Sequence, residues 1–253
     1  MLVGVAGMAY AWYPPFRLFT WVAVGRSPDC PLTQAIQSNR NEQIERESSE
    51  RIIKQSKLVS LDGEGLELWE TPQGRFWIPR SGRNLLAFYL AARQQTLCGA
   101  GDICLDWGAQ SGVNVNGELL AGAARIVAVD AAADHIECLR RNFSGEVAMG
   151  RVIVVAADSS STIDQVVADL KLPRVDYIRV DAAGGEPKAL SSARQTISRF
   201  KPRISVTTYH RSSNPRLVEQ TIRGIRPDYQ VRCGPCFALK DAHSIRPDVL
   251  YFK

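Results

Sequence analysis

The residues with which this chain could do chemistry are Asp106, Asp130, Asp158, Asp181 and the pair Tyr209-His210. Each closes or follows a short run rich in Ile, Val and Leu, the mark of a buried strand. An open α/β sheet binds its ligand beyond the carboxyl ends of its strands, so polar residues at successive strand ends are where a site is built. Imidazole titrates near neutrality, which makes His210 the candidate for a base that removes a proton. Asp181 is the second candidate, as a base or as a group that orients an acceptor. A purely structural histidine, hydrogen-bonded at a strand end, stays open as the alternative for His210.

The stretch Gly101 to Asp130 reads GDICLDWGAQSGVNVNGELLAGAARIVAVD. Its apolar run Ile103-Cys104-Leu105 breaks at Asp106 into a loop punctuated by Gly108 and Gly112, continues helically to Leu120, and enters a second strand over Ile126 to Val129. Asp130 stands about 20 residues beyond the glycines, where a doubly wound fold places the carboxylate that accepts a ribose hydroxyl. That spacing points to an adenosine-bearing ligand. The glycines read G-x-x-x-G, whereas pyrophosphate binders read G-x-G-x-x-G. A carboxylate at the mouth of the loop, Asp106, repels phosphate and attracts an ammonium or a sulfonium. S-adenosylmethionine carries both cations and no phosphate.

In Leu105-Asp106-Trp107-Gly108-Ala109-Gln110-Ser111-Gly112, in Val175-Asp176-Tyr177-Ile178-Arg179-Val180-Asp181-Ala182-Ala183-Gly184-Gly185-Glu186 and in Ser161-Thr162-Ile163-Asp164, the sequence resembles the FkbM-type methyltransferase family, a branch of the class I S-adenosylmethionine-dependent enzymes. The resemblance covers roughly Leu85 to the C-terminus. The family's first motif is D-x-G-A-N-x-G, with Gln110 here in place of asparagine. Its second is D-x-E-G-A-E; Asp181, Gly184 and Glu186 match, while Ala183 replaces the middle glutamate and Gly185 the alanine. The resemblance implies that Asp106, Gly108, Ala109, Gln110, Ser111 and Gly112 hold the methionine part of S-adenosylmethionine. It further implies that Asp130, with Ala131 beside it, holds the ribose and that Asp158 lies near the adenine. The implied reaction is methyl transfer to oxygen of a small-molecule or glycan-type acceptor. Two other readings stay open, a non-catalytic member that binds cofactor or partner, and a nicotinamide-dependent oxidoreductase, against which the missing G-x-G-x-x-G argues.

To position these residues the chain needs alternating strands and helices. The pattern predicts strands at Val152–Ala156, Tyr177–Val180, Ile204–Thr208, Tyr229–Arg232 and Val249–Phe252, the last two an antiparallel pair at the sheet edge. Helices are expected over Asp134–Asn142 and Thr162–Leu170, from Glu186-Pro187, and from Asn214-Pro215 to about Ile225. The fold class is α/β, a Rossmann-like class I methyltransferase fold with a seven-stranded, mostly parallel sheet and an antiparallel edge strand. It occupies residues 83–253. Residues 1–82 are read as an extension: an apolar segment, an exposed helix over Asn39–Lys57, and a hairpin of Leu66–Glu70 and Arg75–Ile78 about Thr71-Pro72-Gln73-Gly74. Trp69 and Trp77 then read first as covering one end of the core and second as lining a pocket. An amphipathic helix over Asn84–Thr96 feeds the first core strand.

At 253 residues, 45% hydrophobic and 23% charged, the chain is sized for one large core. The formal charge of +5 is spread along the sequence, and no basic stripe interleaved with aromatics marks a nucleic-acid binder. Residues 1–25 are apolar, but Pro14, Pro15 and Arg17 interrupt them. They read first as a segment packed on the domain or a partner and second as a peripheral membrane contact. The six cysteines form no recognisable disulfide framework, which predicts reduced thiols and a cytoplasmic setting. Cys233-Gly-Pro-Cys236 has the spacing of a thiol redox pair or half a zinc site, and reads first as a structural turn. No metal site is assigned.

Overall fold

The computed structural model describes residues 30–80, 96–210, 215–239 and 244–253, together with Thr20, Ala23 and Val24. The helix expected over Asn84–Thr96, apart from Thr96, and nearly all of the apolar N-terminal segment lie outside the described residues. No helix among the described residues is long and apolar enough to cross a membrane.

The N-terminal part opens with α1 (Leu32–Gln55), followed by β1 (Lys57–Leu61), β2 (Leu66–Thr71) and β3 (Gly74–Pro79). Pro31 precedes α1 at its cap, and the helix starts seven residues before the expected Asn39 because no breaker lies between. The expected hairpin is present as β2 and β3, with Thr71 Oγ1 donating to the Gly74 carbonyl across its turn. An unexpected third strand, β1, pairs antiparallel with β2. Every residue of β1 is exposed, so it carries no alternation for a reader of the sequence to find.

The main sheet alternates with helices: β4 (Ile103–Trp107), α2 (Val113–Leu120), β5 (Arg125–Asp130), α3 (Ala133–Asn142), α4 (Ser144–Ala148), β6 (Val152–Ala156), α5 (Ile163–Asp169), β7 (Tyr177–Val180), α6 (Glu186–Ser191), α7 (Arg194–Phe200), β8 (Arg203–Thr207), α8 (Pro215–Ile225) and β9 (Val231–Cys233). The chain ends with β10 (Cys236–Leu239), β11 (Ser244–Pro247) and β12 (Val249–Phe252). The seven-stranded order is β6-β5-β4-β7-β8-β12-β9, and β10 and β11 form a separate antiparallel pair. Only β12 runs against the rest. It is inserted between β8 and β9, so the outermost strand is again parallel to the body of the sheet.

Both faces of the sheet are covered, which is why its strands read as continuous apolar runs. Leu105, Val127, Ile178 and Val206 pack on α5 to α8, while Cys104, Ile126, Ala128 and Tyr177 face α2, α3 and the hairpin residues Phe76 and Ile78. Where a single helix is expected from Glu186, two short ones, α6 and α7, follow each other. At the start of α5, Thr162 Oγ1 accepts from the Gln165 amide at 3.1 Å.

Two disulfides, Cys30–Cys236 and Cys98–Cys104, overturn the expectation of reduced cysteines. The first joins residues 206 positions apart, brought together because α1 lies across β10, and no local spacing announces such a pair. The ground for expecting a reducing, cytoplasmic setting falls with it.

The extension is docked on α3. Arg141 makes ion pairs with Asp62, Glu64 and Glu137 and lies 5.0 Å over the Trp77 ring. Asn142 accepts from the Trp77 amide at 2.6 Å and donates both to the Trp77 carbonyl at 2.9 Å and to the Ser111 carbonyl at 2.8 Å. One amide thus holds the hairpin and the glycine loop together. Asn142→Ala leaves these backbone groups without their partner and is expected to lower stability by about 2 kcal/mol, measured as a fall in the urea midpoint at unchanged m value.

Candidate active site

The order of strands reverses at β4, with β5 and β6 to one side and β7 and β8 to the other. The crevice beyond the carboxyl ends of β4 and β7 is therefore the place for a ligand. Asp106 does not begin a loop there, as expected; it is the penultimate residue of β4 and fully buried. Directly across in the parallel register stands Arg179 of β7. Its Nη1 donates to Asp106 Oδ1 and its Nη2 to Asp181 Oδ2, each at 2.9 Å. Asp181 Oδ1 in turn accepts from His210 Nε2 at 2.7 Å. The two residues read as catalytic candidates are thus in direct contact, and a chain of charge runs Asp106, Arg179, Asp181, His210 across the strand ends.

Because the Asp181 carboxylate needs a donor, the proton on neutral His210 sits on Nε2 and the lone pair on Nδ1. Burial alone lowers the His210 value, but the hydrogen bond and charge of Asp181 outweigh it and hold the imidazole above its ordinary 6.5. Burial would raise Asp181, yet His210 and Arg179 together hold its carboxyl below the usual range. Glu186 Oε1 lies 3.9 Å from His210 Nε2 and accepts from the amides of Ala182 and Gly184. Asp181, Glu186 and His210 place donor atoms within 4.8 Å of one another, a spacing that also suits a cation. Here Asp181 is answered by His210 and Arg179, and Glu186 by the turn. A second such group, Cys98, Asp102 and Cys104, has both sulfurs in a disulfide.

The glycine loop is built by close approach. Gly108 has φ of +86°, and a Cβ there would lie 1.9 Å from the Asp181 carbonyl oxygen. Gly112, the cap of α2, has φ of +89°, and its Cβ would meet Phe143 at 2.2 Å. The amides of Gly108 and Ala109 both donate to the Val129 carbonyl, that of Gly112 to the Ala109 carbonyl, and that of Gln110 to Asp130 Oδ2 at 2.8 Å. Asp130 closes β5, and its Oδ1 accepts from Ala132 and pairs with His135 Nδ1 at 3.0 Å. A carboxylate offers about four lone-pair sites, so Asp130 retains capacity for one further donor such as a ribose hydroxyl. Ala131 is exposed beside it, and Ser111 is buried with its carbonyl bonded to Asn142. Asp158 follows β6 in an exposed turn, where the hydroxyls and amides of Ser160 and Ser161 hold its carboxyl down to about 2.

Sequence reasoning passed over Arg179, an interruption in an apolar strand, and Glu118 of α2. Glu118 is fully buried, and neither of its oxygens has a hydrogen-bond partner among the described residues; the same is true of Asp106 Oδ2. Burial, with the neighbouring charge of Asp106, pushes the Glu118 carboxyl well above the ordinary range. Burial also raises Asp106, against the pull of Arg179.

The sequence matches no family model and no curated protein. Among solved structures it is similar to the methyltransferase FkbM from Methylobacillus flagellatus KT, at 16% identity over 85% of this chain and 59% of that one, with a TM-score of 0.49. It is also similar to an O-methyltransferase from Bacillus cereus in complex with SAH, at 18% identity over 60% of this chain and 73% of that one, TM-score 0.42. A third is fibrillarin from Aeropyrum pernix in complex with natively bound S-adenosyl-L-methionine, at 14% identity over 78% of this chain and 99% of that one, TM-score 0.42. The chain spans 59% of the length of the first of these. The likeness is one of fold.

A carboxyl raised on folding keeps its proton where the unfolded chain has lost it. The stability this proton contributes is present below the ordinary glutamate value and is lost as pH rises toward the folded one. Glu118→Gln cannot ionise, so it should match the parent at acid pH and grow progressively more stable than it as pH rises. Urea titrations at a series of pH values check this; a gap that stays constant would mean that folding does not raise the Glu118 carboxyl.

Proposed function

We propose that the chain is an S-adenosylmethionine-dependent methyltransferase that transfers to an oxygen of a small-molecule or glycan-type acceptor, with the cofactor in the crevice beyond β4 and β7 and its ribose at the end of β5. The observation that carries this reading is the state of the glycine loop. In a phosphate cradle the loop amides point outward at the anion, whereas those of Gly108, Ala109, Gln110 and Gly112 are all consumed within the protein. The carboxylates at these strand ends are those of Asp106, Asp130 and Asp181, and Asp130 keeps acceptor capacity for a ligand. A cationic nucleoside suits such walls, and a pyrophosphate does not. The unpartnered Asp106 Oδ2 fits the same ligand class.

When bound, S-adenosylmethionine supplies a methyl group already activated by its sulfonium, so the protein's part is alignment and proton handling. Gly108 allows the loop to approach the end of β7, which sets the cofactor site beside Asp181. Asp181 fixes the orientation and tautomer of His210, leaving Nδ1 to take the acceptor's hydroxyl proton, and stabilises the imidazolium that results. Asp130 takes the ribose, Ser111 and Ala131 flank the loop and the ribose, and Asp158 stands toward the adenine. A nicotinamide-dependent oxidoreductase would need the loop amides that are here spent.

Differential scanning with S-adenosylhomocysteine, NAD and no ligand tests the cofactor class. At a concentration 100 times Kd, S-adenosylhomocysteine should stabilise by about 2.7 kcal/mol. NAD should have no effect, and the reverse pattern would exclude the proposal.

The role of His210 has its own signature. The base must be unprotonated, so kcat should rise with pH through a midpoint above 6.5, in the direction Asp181 shifts the imidazole. Asp181→Asn should move that midpoint down, and His210→Ala should lower kcat by about 100-fold or more while leaving the Kd for S-adenosylhomocysteine within a few-fold. An unchanged kcat in His210→Ala would remove it from the reaction.

A further inference from the structure

The Cys233-Gly-Pro-Cys236 segment plays no part in the site above, yet its surroundings are unusual. Cys236 is bonded to Cys30, with the two Cα atoms 6.4 Å apart, while Cys233 keeps its thiol. Cys30 and Cys233 line the same cavity of about 420 Å³, together with Pro31, Pro215, Arg216 and Leu250. Cys236 is on the other side of that disulfide. It is fully buried and packs with Ala35, Ala238 and Ile245. Cys30 and Cys233 therefore share one cavity, while Cys236 is sealed among apolar side chains.

The backbone between the two anchors is fixed from both sides. The Gly234 amide donates to the Val249 carbonyl at 2.8 Å, and Pro235 accepts from the Asp248 amide at 3.0 Å. Cys233 stands opposite Leu250 in the β9–β12 register. Cys30 lies just before the start of α1, joined to it only by Pro31. Cys233 and Cys236 are thus each held in a strand, and Cys30 is not.

We propose that these three residues form a thiol–disulfide exchange site in which Cys30 passes between Cys236 and Cys233. The Cys233 thiolate attacks Cys30 Sγ, and the Cys30–Cys233 bond forms as the Cys30–Cys236 bond breaks. The electron pair leaves on Cys236 Sγ, which takes up a proton, so the proton lost by Cys233 is regained at Cys236. No oxidant or reductant is consumed. A thiolate formed in an apolar pocket is disfavoured, which makes Cys30–Cys236 the resting pairing and the exchanged form the minor one. Exchange moves the anchor of α1 from β10 to β9, at the cavity that Pro215 and Arg216 of α8 also line.

The test is disulfide mapping of the full, unreduced chain. The protein is held at mildly alkaline pH without reductant, quenched in acid, alkylated with N-ethylmaleimide under denaturing conditions, digested and read by mass spectrometry. Expected in the parent are a major Cys30–Cys236 peptide with Cys233 alkylated and a minor Cys30–Cys233 peptide with Cys236 alkylated. Cys233→Ser should abolish the minor pair and the alkylation of Cys236. In Cys236→Ser treated with oxidised glutathione, Cys30–Cys233 should form in preference to glutathione adducts. The proposal is overturned if the parent yields Cys30–Cys236 alone, or if Cys236 is alkylated equally in Cys233→Ser. The parent measurement decides the matter even if Cys236→Ser does not fold.

Discussion

The guanidinium of Arg179 is the interaction on which the rest of the site depends. It lies across from Asp106 on the neighbouring strand and two residues before Asp181 on its own, so one rigid fork joins two carboxylates where the strand order reverses. Its side chain is only 13% exposed. Taking one partner from a buried ion pair of this kind leaves a charge without compensation, at a cost of about 3–5 kcal/mol. Here the loss would leave two carboxylates without a partner on Arg179, those of Asp106 and Asp181. The two sheet faces accordingly differ. One is closed by aliphatic side chains, while the other carries Asp106, Arg179 and the hydrogen-bonded pair Tyr177 and Ser205 at 2.6 Å.

That arrangement alters the electrostatic account of ligand selection. Read along the chain, Asp106 stands as a bare charge at the lip of a loop, repelling phosphate by itself. In the fold it is inside a strand with one oxygen on Arg179, and its net field at the crevice is correspondingly reduced. Selectivity against phosphate has a second and more local source, the consumption of the loop amides by the Val129 carbonyl and the Asp130 carboxylate. Both sources point the same way. The second depends on Asp130 being ionised, and burial, which would raise it, is outweighed by His135 and the amides of Ala132 and Gln110.

Elements whose two faces are both buried were readable from the sequence, since a continuous Ile and Val run has one structural meaning when bounded by turn residues. Tyr177–Val180 and Val249–Phe252 have the expected bounds for this reason, and Val152–Ala156 keeps its bounds as a partly buried edge strand. The misread boundaries share a different cause. Asp106 looks like a strand terminator because an acid inside a strand makes sense only once its partner is known, and Arg179 is 73 residues away. Glu118 looks like a solvent-facing residue of an amphipathic helix, and only the packing of α2 on the sheet reveals that it faces inward. The His210–Asp181 contact was half legible: both lie at strand ends, but that β7 and β8 are adjacent follows from topology and not from spacing. The Cys30–Cys236 disulfide was illegible because the proximity of its two cysteines is a property of how α1 is laid down.

The departure of this chain from the second motif of the FkbM type can be judged on the same structural grounds. Ala183 occupies the position of the motif's middle glutamate and has φ of +48°, a left-handed conformation costing a non-glycine residue about 1–2 kcal/mol. The turn is held in that shape from outside, because Glu186 accepts from the amides of both Ala182 and Gly184, on either side of Ala183. Glu186 is fully buried, so these bonds are shielded from water and retain their strength. The side chain at position 183 therefore has no part in fixing the backbone that presents Asp181. Asp181 is oriented by Arg179 on one oxygen and His210 on the other, and neither contact passes through the replaced acid. An acid at 183 would add negative charge beside a cluster that already holds more carboxylates than cations; its absence leaves the Asp181–His210 pair intact and the imidazole less strongly held in its protonated form.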